Sequence, residues 1–259
     1  MDAFLPFLAP DLAPALFAIA LLIAVFAGII KGMVGFGMPM VLVSGLGTIL
    51  APEWALAGLI LPTVVSNGVQ ALRQGPGAAW QSVRRFQVFL IAGGIALVIS
   101  AQFVRILPQE VLLLLIGVPI TAFAGMQLVG IALRLARPSN RAEIAIGTVA
   151  GLIGGVSGVW GPPTVAYLTA LGTEKTEQIR VQGVIYGLGA VLLLFAHIGS
   201  GVMRAETALF SLVLVPPAIL GMWLGGRIHD RIEQSTFRKA TLIVLTLAGL
   251  NLIRRALLG

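Results

Sequence analysis

Apolar residues fill long blocks of this chain, and polar residues collect in the short gaps between them. The blocks run over 12–30, 38–51, 54–72, 86–104, 111–133, 144–159, 161–172, 181–203, 208–226 and 240–253. At about 1.5 Å per helical residue, six of them have roughly the length needed to cross about 30 Å of hydrocarbon; the last reaches it with its polar start from Thr236. No tract is long enough for a separate soluble domain. The pattern predicts an all-α polytopic membrane protein.

Within the blocks, one pattern occurs twice. Gly28, Ile30, Gly32, Gly35 and Pro39 reappear as Gly151, Ile153, Gly155, Gly158 and Pro162, each pair 123 positions apart. Glycines and a proline at fixed spacing predict an unwound or sharply turned segment. Lipid cannot satisfy exposed N–H and C=O groups, so such backbone survives at membrane depth only inside protein or beside water. A duplicated break of this kind points to a transporter's binding site.

Composition sharpens the class. Of 259 residues, 58% are hydrophobic and 10% charged, with a mean hydropathy of +1.01. A soluble domain carries about 25% charged residues. Cysteine is absent, which excludes disulfides, thiolate catalysis and Cys-based metal sites. The start Met1-Asp2 has no basic n-region, so a cleaved signal peptide is not expected. The net charge of +7 lies at block ends, which fits the positive-inside rule and not a nucleic-acid surface.

Those cations set a topology. Connectors holding Arg73, Arg84 and Arg85; Arg134, Arg137 and Arg141; Lys175 and Arg180; and Arg227, Arg231, Arg238 and Lys239 carry twelve of the 17 basic residues. With all four cytoplasmic, Arg105, Arg204, Arg254 and Arg255 lie outside. The block between 141 and 175 must then enter and return, as a hairpin bent at about 156–162. By the repeat, residues 12–50 form a matching hairpin bent at about 31–39. The expected architecture is an inverted repeat of two halves, each a broken-helix, re-entrant hairpin plus three transmembrane helices. The first half, 1–137, comprises hairpin 12–50 and helices 54–72, 86–104 and 111–133. The second, 138–259, comprises hairpin 144–172 and helices 181–203, 208–226 and 240–253. Arms of about 12 residues reach only about 18 Å, which favours re-entrant loops in places and full spans in others.

The segments from Gly28 to Pro39 and from Gly151 to Pro163 resemble the paired glycine-rich signatures of the TauE/SafE family, also called TSUP or the sulfite exporter family. Length, duplication and the polar Ser66-Asn67 stretch of the next helix extend the resemblance over nearly the whole chain. It implies a multi-pass carrier of the bacterial inner membrane for sulfite, sulfoacetate or other sulfonates. Phe36 and Trp160 stand where many members carry glycine, which implies a reshaped pocket.

Physical reading of the residues gives the candidate site. A sulfonate needs N–H donors and positive potential, and helix N-termini supply both. The second arm of each hairpin begins near Pro39 and Pro162, where proline suits a first turn. Gly35, Gly37, Gly158 and Gly161 are the candidate substrate-binding backbone, and Gly32, Pro39, Gly155 and Pro162 the candidate hinges. The alternative is that these glycines only allow close helix packing. Lys31 is the one cation inside the apolar blocks, a partner for the anion or a side chain that snorkels to water. Ser66 and Asn67, with Gln70, lie on the helix after the first hairpin, and Gln182 and Tyr186 on its counterpart. They line a path or bind neighbouring helices. Phe36 and Trp160 are candidate walls or plain packing residues. Pro62 is expected to kink its helix and free a carbonyl.

All ten carboxylates fall at segment ends or in connectors, so no buried acid for proton coupling is evident. The coupling ion and a homodimer stay open; no metal, cofactor or nucleic acid is expected. An inside-negative potential drives an anion out, by about 2.3 kcal/mol per charge per 100 mV, which favours export. Beside a secondary carrier stand a channel-like pore of the same fold and a transporter of another small carboxylate or oxyanion. An intramembrane enzyme needs a nucleophile–base set that the spacing does not provide.

Overall fold

A computed structural model describes residues 14–102, 108–131, 135, 139–157, 160–199 and 201–258. All regular structure among them is helical. In chain order the helices are α1 (Pro14–Val34), α2 (Met38–Leu46), α3 (Pro52–Leu72), α4 (Pro76–Arg85), α5 (Gln87–Gln102), α6 (Gln109–Leu128), α7 (Asn140–Ser157), α8 (Gly161–Ala170), α9 (Lys175–Gly199), α10 (Ala205–Val213), α11 (Val215–Arg231) and α12 (Gln234–Leu258). Five stretches are long and apolar enough to cross a membrane: α1, residues 54–72 of α3, α9, α10 with α11, and α12. A sixth arises if α4 and α5, bent by 76°, count as one broken span.

Residue size decides which side of α1 faces inward. Ala20, Ala24, Ala27 and Gly28 are buried at spacings of three and four, whereas Ile19, Leu22 and Phe26 point outward. Lipid tails are as apolar as leucine, so helices associate by packing, and small residues mark the contact. Gly28 and Gly32 of α1 lie against α11 so closely that a Cβ would come within 2.1 Å of the carbonyl oxygens of Ala218 and Met222. Gly221 and Gly225 return the contact on Val25 and Ile29, at 2.0 and 2.1 Å. The same device joins α5 to α7, where a Cβ on Gly151 would lie 2.1 Å from the Gly93 oxygen. Both pairs run parallel.

Two other pairs run antiparallel. Along α3 and α9, Ala71 faces Gly183 and Asn67 faces Gly187; along α6 and α12, Gly117 faces Gly249 while Gln127 meets Arg238. Pro62 inside α3 lacks the N–H that would bond the Gly58 oxygen. The Ser211 hydroxyl of α10 donates to that oxygen at 3.4 Å and accepts the Leu61 N–H at 3.1 Å. The freed carbonyl expected at Pro62 is therefore satisfied by a neighbouring helix, as the bilayer interior demands.

The hairpins are asymmetric, each with one long and one short arm. α1 has 21 residues and α2 has 9, or about 31 Å against about 13 Å. α7 and α8, with 18 and 10 residues, repeat this contrast. The apolar block ends before Lys31, but the helix continues to Val34 because Lys31 points into protein and not lipid. Residues 73–85, read as a connector, contain α4. Its basic face and exposed Trp80, with Arg84 5.4 Å over the ring, suit an interfacial helix.

The basic connectors gather at one end. Arg73 forms an ion pair with Asp230 at 2.6 Å, Arg180 donates to Gln74, and Lys175 Nζ donates to Ile232 O at 2.5 Å and His229 O at 3.1 Å. The Leu135 N–H reaches Ala170 O at 2.9 Å. Glu174 caps α9 there by accepting the N–H groups of Thr176 and Glu177 at 2.9 and 3.1 Å. Burial would raise its carboxyl pKa, but those bonds, the Thr176 hydroxyl and Lys175 together hold it below the usual range.

Two outcomes follow from this packing. Gly225→Leu should cost about 1–3 kcal/mol through overpacking against the α1 backbone, read as a fall in melting temperature in detergent; an unchanged melting point would contradict the contact. Glu174→Gln should lower stability at neutral pH. Because the folded carboxyl pKa is depressed, its contribution is present above the unfolded value and is lost as pH falls through the folded one. The difference in melting temperature from the parent should therefore shrink on acidification below the carboxylate range.

Candidate functional site

Both chain breaks lead to one place. After Val34 the chain leaves α1 through Gly35 and Gly37, at φ values of +87° and +90°, a region that residues with a Cβ rarely adopt. The Gly35 carbonyl accepts from Gln70 Nε2 of α3 at 3.0 Å, and the same amide donates to Ile179 O of α9 at 2.6 Å. Gln182 Oε1 closes over the other side, where a Cβ on Gly35 would come within 2.0 Å of it. Gly37 then caps α2 with no side-chain bond, and Pro39 lies in the first turn. In the second hairpin Trp160 caps α8, again without a side-chain bond and with proline in the first turn.

The starts of α2 and α8 face each other across a cavity of about 30 Å³ lined by Lys31, Phe36, Gly37, Pro39, Met40, Thr63, Asn67, Trp160, Gly161, Pro162 and Tyr186. The hairpin tips lie close together: a Cβ on Gly161 would stand 3.7 Å from the Phe36 ring and 3.7 Å from the Tyr186 hydroxyl. That hydroxyl donates to Gly161 O at 2.9 Å. The site lies deep in the protein, beside Tyr186, halfway along the 25 residues of α9.

Lys31 does not snorkel. It is 2% exposed, and its ammonium donates to Asn67 Oδ1. No carboxylate lines the cavity among the described residues. Because Asn67 turns its oxygen to Lys31, its amide nitrogen is left over, buried and without a partner; the Thr63 hydroxyl one turn earlier is in the same state. A buried donor without an acceptor costs about 1–3 kcal/mol, which makes these groups receptive to an anion. The cavity therefore offers an ammonium, an amide N–H, a hydroxyl and two helix N-termini, all of one electrostatic sign.

The sequence-derived residues divide clearly. Lys31, Phe36, Gly37, Asn67, Trp160, Gly161 and Tyr186 meet at the cavity. Gly35 and Gln182 form its support one layer out. Ser66 lies beneath the start of α2, donating to Thr63 O at 3.2 Å and Met38 Sδ at 3.4 Å. Gly158 lies outside the described residues. Gly32 and Gly155, read as hinges, are helical within α1 and α7, and the first break lies three residues beyond Gly32. Pro39 and Pro162 line the cavity as helix starters. Thr63 and Met40 were not singled out in the sequence; the available signal was the four-residue step from Thr63 to Asn67, which places both on one helical face. Among the described residues one carboxylate, Glu143 of α7, is buried, at 4% exposure, near Arg85 and outside the lining of the cavity.

The two halves of the cavity differ. Gly154 occupies the repeat position of Lys31, and the Trp160 ring fills the space beside it: a Cβ on Gly154 or Gly189 would come within 2.4 or 2.6 Å of the ring. One wall is thus a cation and the other an indole.

The model of the family described as sulfite exporter TauE/SafE matches residues 20–252 of the chain. The chain belongs to this family. No curated protein and no solved structure matches it. Membership in the TauE/SafE family makes this a multi-pass membrane protein of a transporter family, working in a lipid bilayer on a small anion. The cavity has the donor chemistry such an anion requires.

Asn67→Asp places a carboxylate beside Lys31 and should cancel the positive site from within. Anion binding to the purified protein should fall by at least about tenfold, with the melting temperature kept. Thr63→Val, which removes one donor of similar volume, should weaken binding by about fivefold. Calorimetric titration with sulfite measures both, and parent-like affinity in Asn67→Asp would place the anion elsewhere.

Proposed function

We propose that this protein is a secondary carrier of the bacterial inner membrane that exports small sulfur oxyanions or organosulfur anions, such as sulfite, sulfoacetate or other sulfonates. The observation that carries the proposal is the buried Lys31 ammonium, which has no carboxylate partner among the described residues, set beside the unpartnered Asn67 amide and Thr63 hydroxyl between two helix N-termini. A buried charge needs a counter-charge, and a substrate anion supplies it.

Transport proceeds by movement of two inverted halves around this site. The contact pattern supports that reading. Shifting by 123 residues carries α1 onto α7, α3 onto α9, α5 onto α11 and α6 onto α12. The packing pairs α1–α11 and α7–α5 then exchange, while α3–α9 and α6–α12 map onto themselves with their directions opposed. A two-fold operation that reverses helix direction has its axis in the membrane plane. The basic end, rich in Arg and Lys, faces the cytoplasm by the positive-inside rule.

A space of about 30 Å³ exceeds the roughly 10–15 Å³ that one water centre needs but is tight for a sulfonate bearing a carbon chain. Phe36 and Trp160 must therefore part for larger substrates, and they act as the gate between the tips. An inside-negative potential drives a bound anion outward.

Proteoliposomes loaded with labelled sulfite test the reading. Flux should saturate and should be accelerated by unlabelled sulfite on the opposite side, as an alternating site requires and an open pore does not permit. Lys31→Ala should lower kcat/KM by at least about tenfold, the loss of one charge-assisted contact. Unsaturable flux, or parent-like kinetics in Lys31→Ala, would overturn the carrier mechanism or the site respectively.

A further inference from the structure

A second cavity, of about 710 Å³, opens at the basic end among the ends of α6, α8, α9 and α12. Its polar lining includes Gln127, Thr169, Gln178, Arg238 and Lys239, with Thr173, Gln234 and Ser235 beside them. Arg238 Nη2 donates to Gln127 Oε1, which leaves the Gln127 amide nitrogen directed away from the guanidinium. That nitrogen, Gln178 Nε2 and Thr169 Oγ1 are all buried without a hydrogen-bond partner. Their residues are 7%, 2% and 5% exposed. No acid lines the cavity among the described residues. Three buried orphan polar groups from three helices, beside two cations, make an unoccupied acceptor the missing component.

We propose that this cavity is a second oxyanion site, a loading vestibule from which substrate passes along α9 to the central cavity; the substrate class rests on the transport reading above. The path is marked by side chains four residues apart on one face of α9: Gln178 in the vestibule, Gln182 next, and Tyr186 at the central site. Both amide atoms of Gln182 are buried without partners, so it offers a donor midway. The whole ladder spans about 12 Å at 1.5 Å per residue. The anion's oxygens exchange the guanidinium and amide donors of the vestibule for Gln182, then for Asn67 and Lys31, and never lose all their partners. A pyramidal or tetrahedral oxyanion fits this donor set whether it is free sulfite or the phosphate of an anionic lipid, and the experiment separates the two sources.

Purified protein in detergent free of anionic lipid is titrated calorimetrically with sodium sulfite. Two sites per chain are expected, one lost in Lys31→Ala and the other in the double variant Gln178→Ala with Arg238→Gln. A single site that the vestibule variants leave unchanged overturns the proposal, while loss of that site in Lys31→Ala preserves the central reading. Sided flux supplies the second arm. Arg238→Gln should raise KM by about tenfold for sulfite presented at the basic end, and leave KM at the opposite face unchanged. Arg238→Lys should restore most of the affinity, and thermal melting checks that each variant is folded. An equal KM change at both faces indicates a structural role and overturns the proposal. In nanodiscs of phosphatidylcholine the second sulfite site should persist when phosphatidylglycerol is added. Its disappearance without a change in transport KM assigns the cavity to lipid phosphate and overturns the loading role.

Discussion

Backbone that leaves a helix at membrane depth must find its hydrogen-bond partners within the protein, and this constraint organises the molecule. At Gly35 the carbonyl is taken by Gln70. At Pro62 the orphaned Gly58 oxygen is taken by Ser211. The starts of α2 and α8 are capped by no side chain. Gly37 and Pro39 at one start and Gly161 and Pro162 at the other line the small space beside Lys31 instead. The fold closes irregular backbone elsewhere and leaves donors open where an anion can accept them.

A cation can stay in that space only because the surrounding helices come close enough to shut out lipid. Glycine at the contacts of α1 with α11 and of α7 with α5 brings carbonyl oxygens to within about 2 Å of where a Cβ would stand. Close packing of helices thus sustains the local electrostatics. The glycines of the repeated pattern serve two ends, packing at Gly28, Gly32 and Gly151, and backbone freedom at Gly35.

The sequence repeat is imperfect at the cavity. Lys31 has Gly154 as its counterpart, and the freed space holds the Trp160 indole. A second lysine opposite the first would add repulsion in a low-dielectric cavity; with an indole there, Lys31 is the one cation lining the cavity among the described residues. The glycine-rich pattern is carried in both copies, and the side chains differ between them at the cavity.

The sequence by itself determined the helical membrane class, the duplicated breaks, the collection of basic connectors at one end, and most residues of the central cavity. These follow from hydrophobicity, from glycine and proline at fixed spacing, and from the rarity of a lysine among apolar residues, all of which are local. The tertiary structure alone decided that Lys31 meets Asn67 and not water, that α1 continues past its charge to Val34, and that residues 76–85 form a helix. It also decided which polar side chains remain without partners. Thr63, Gln127 and Gln178 look alike in the sequence, as polar residues within or beside apolar segments. Whether such a group is satisfied depends on atoms brought from other helices, 50 or more residues away in some cases, and no local pattern encodes that distance.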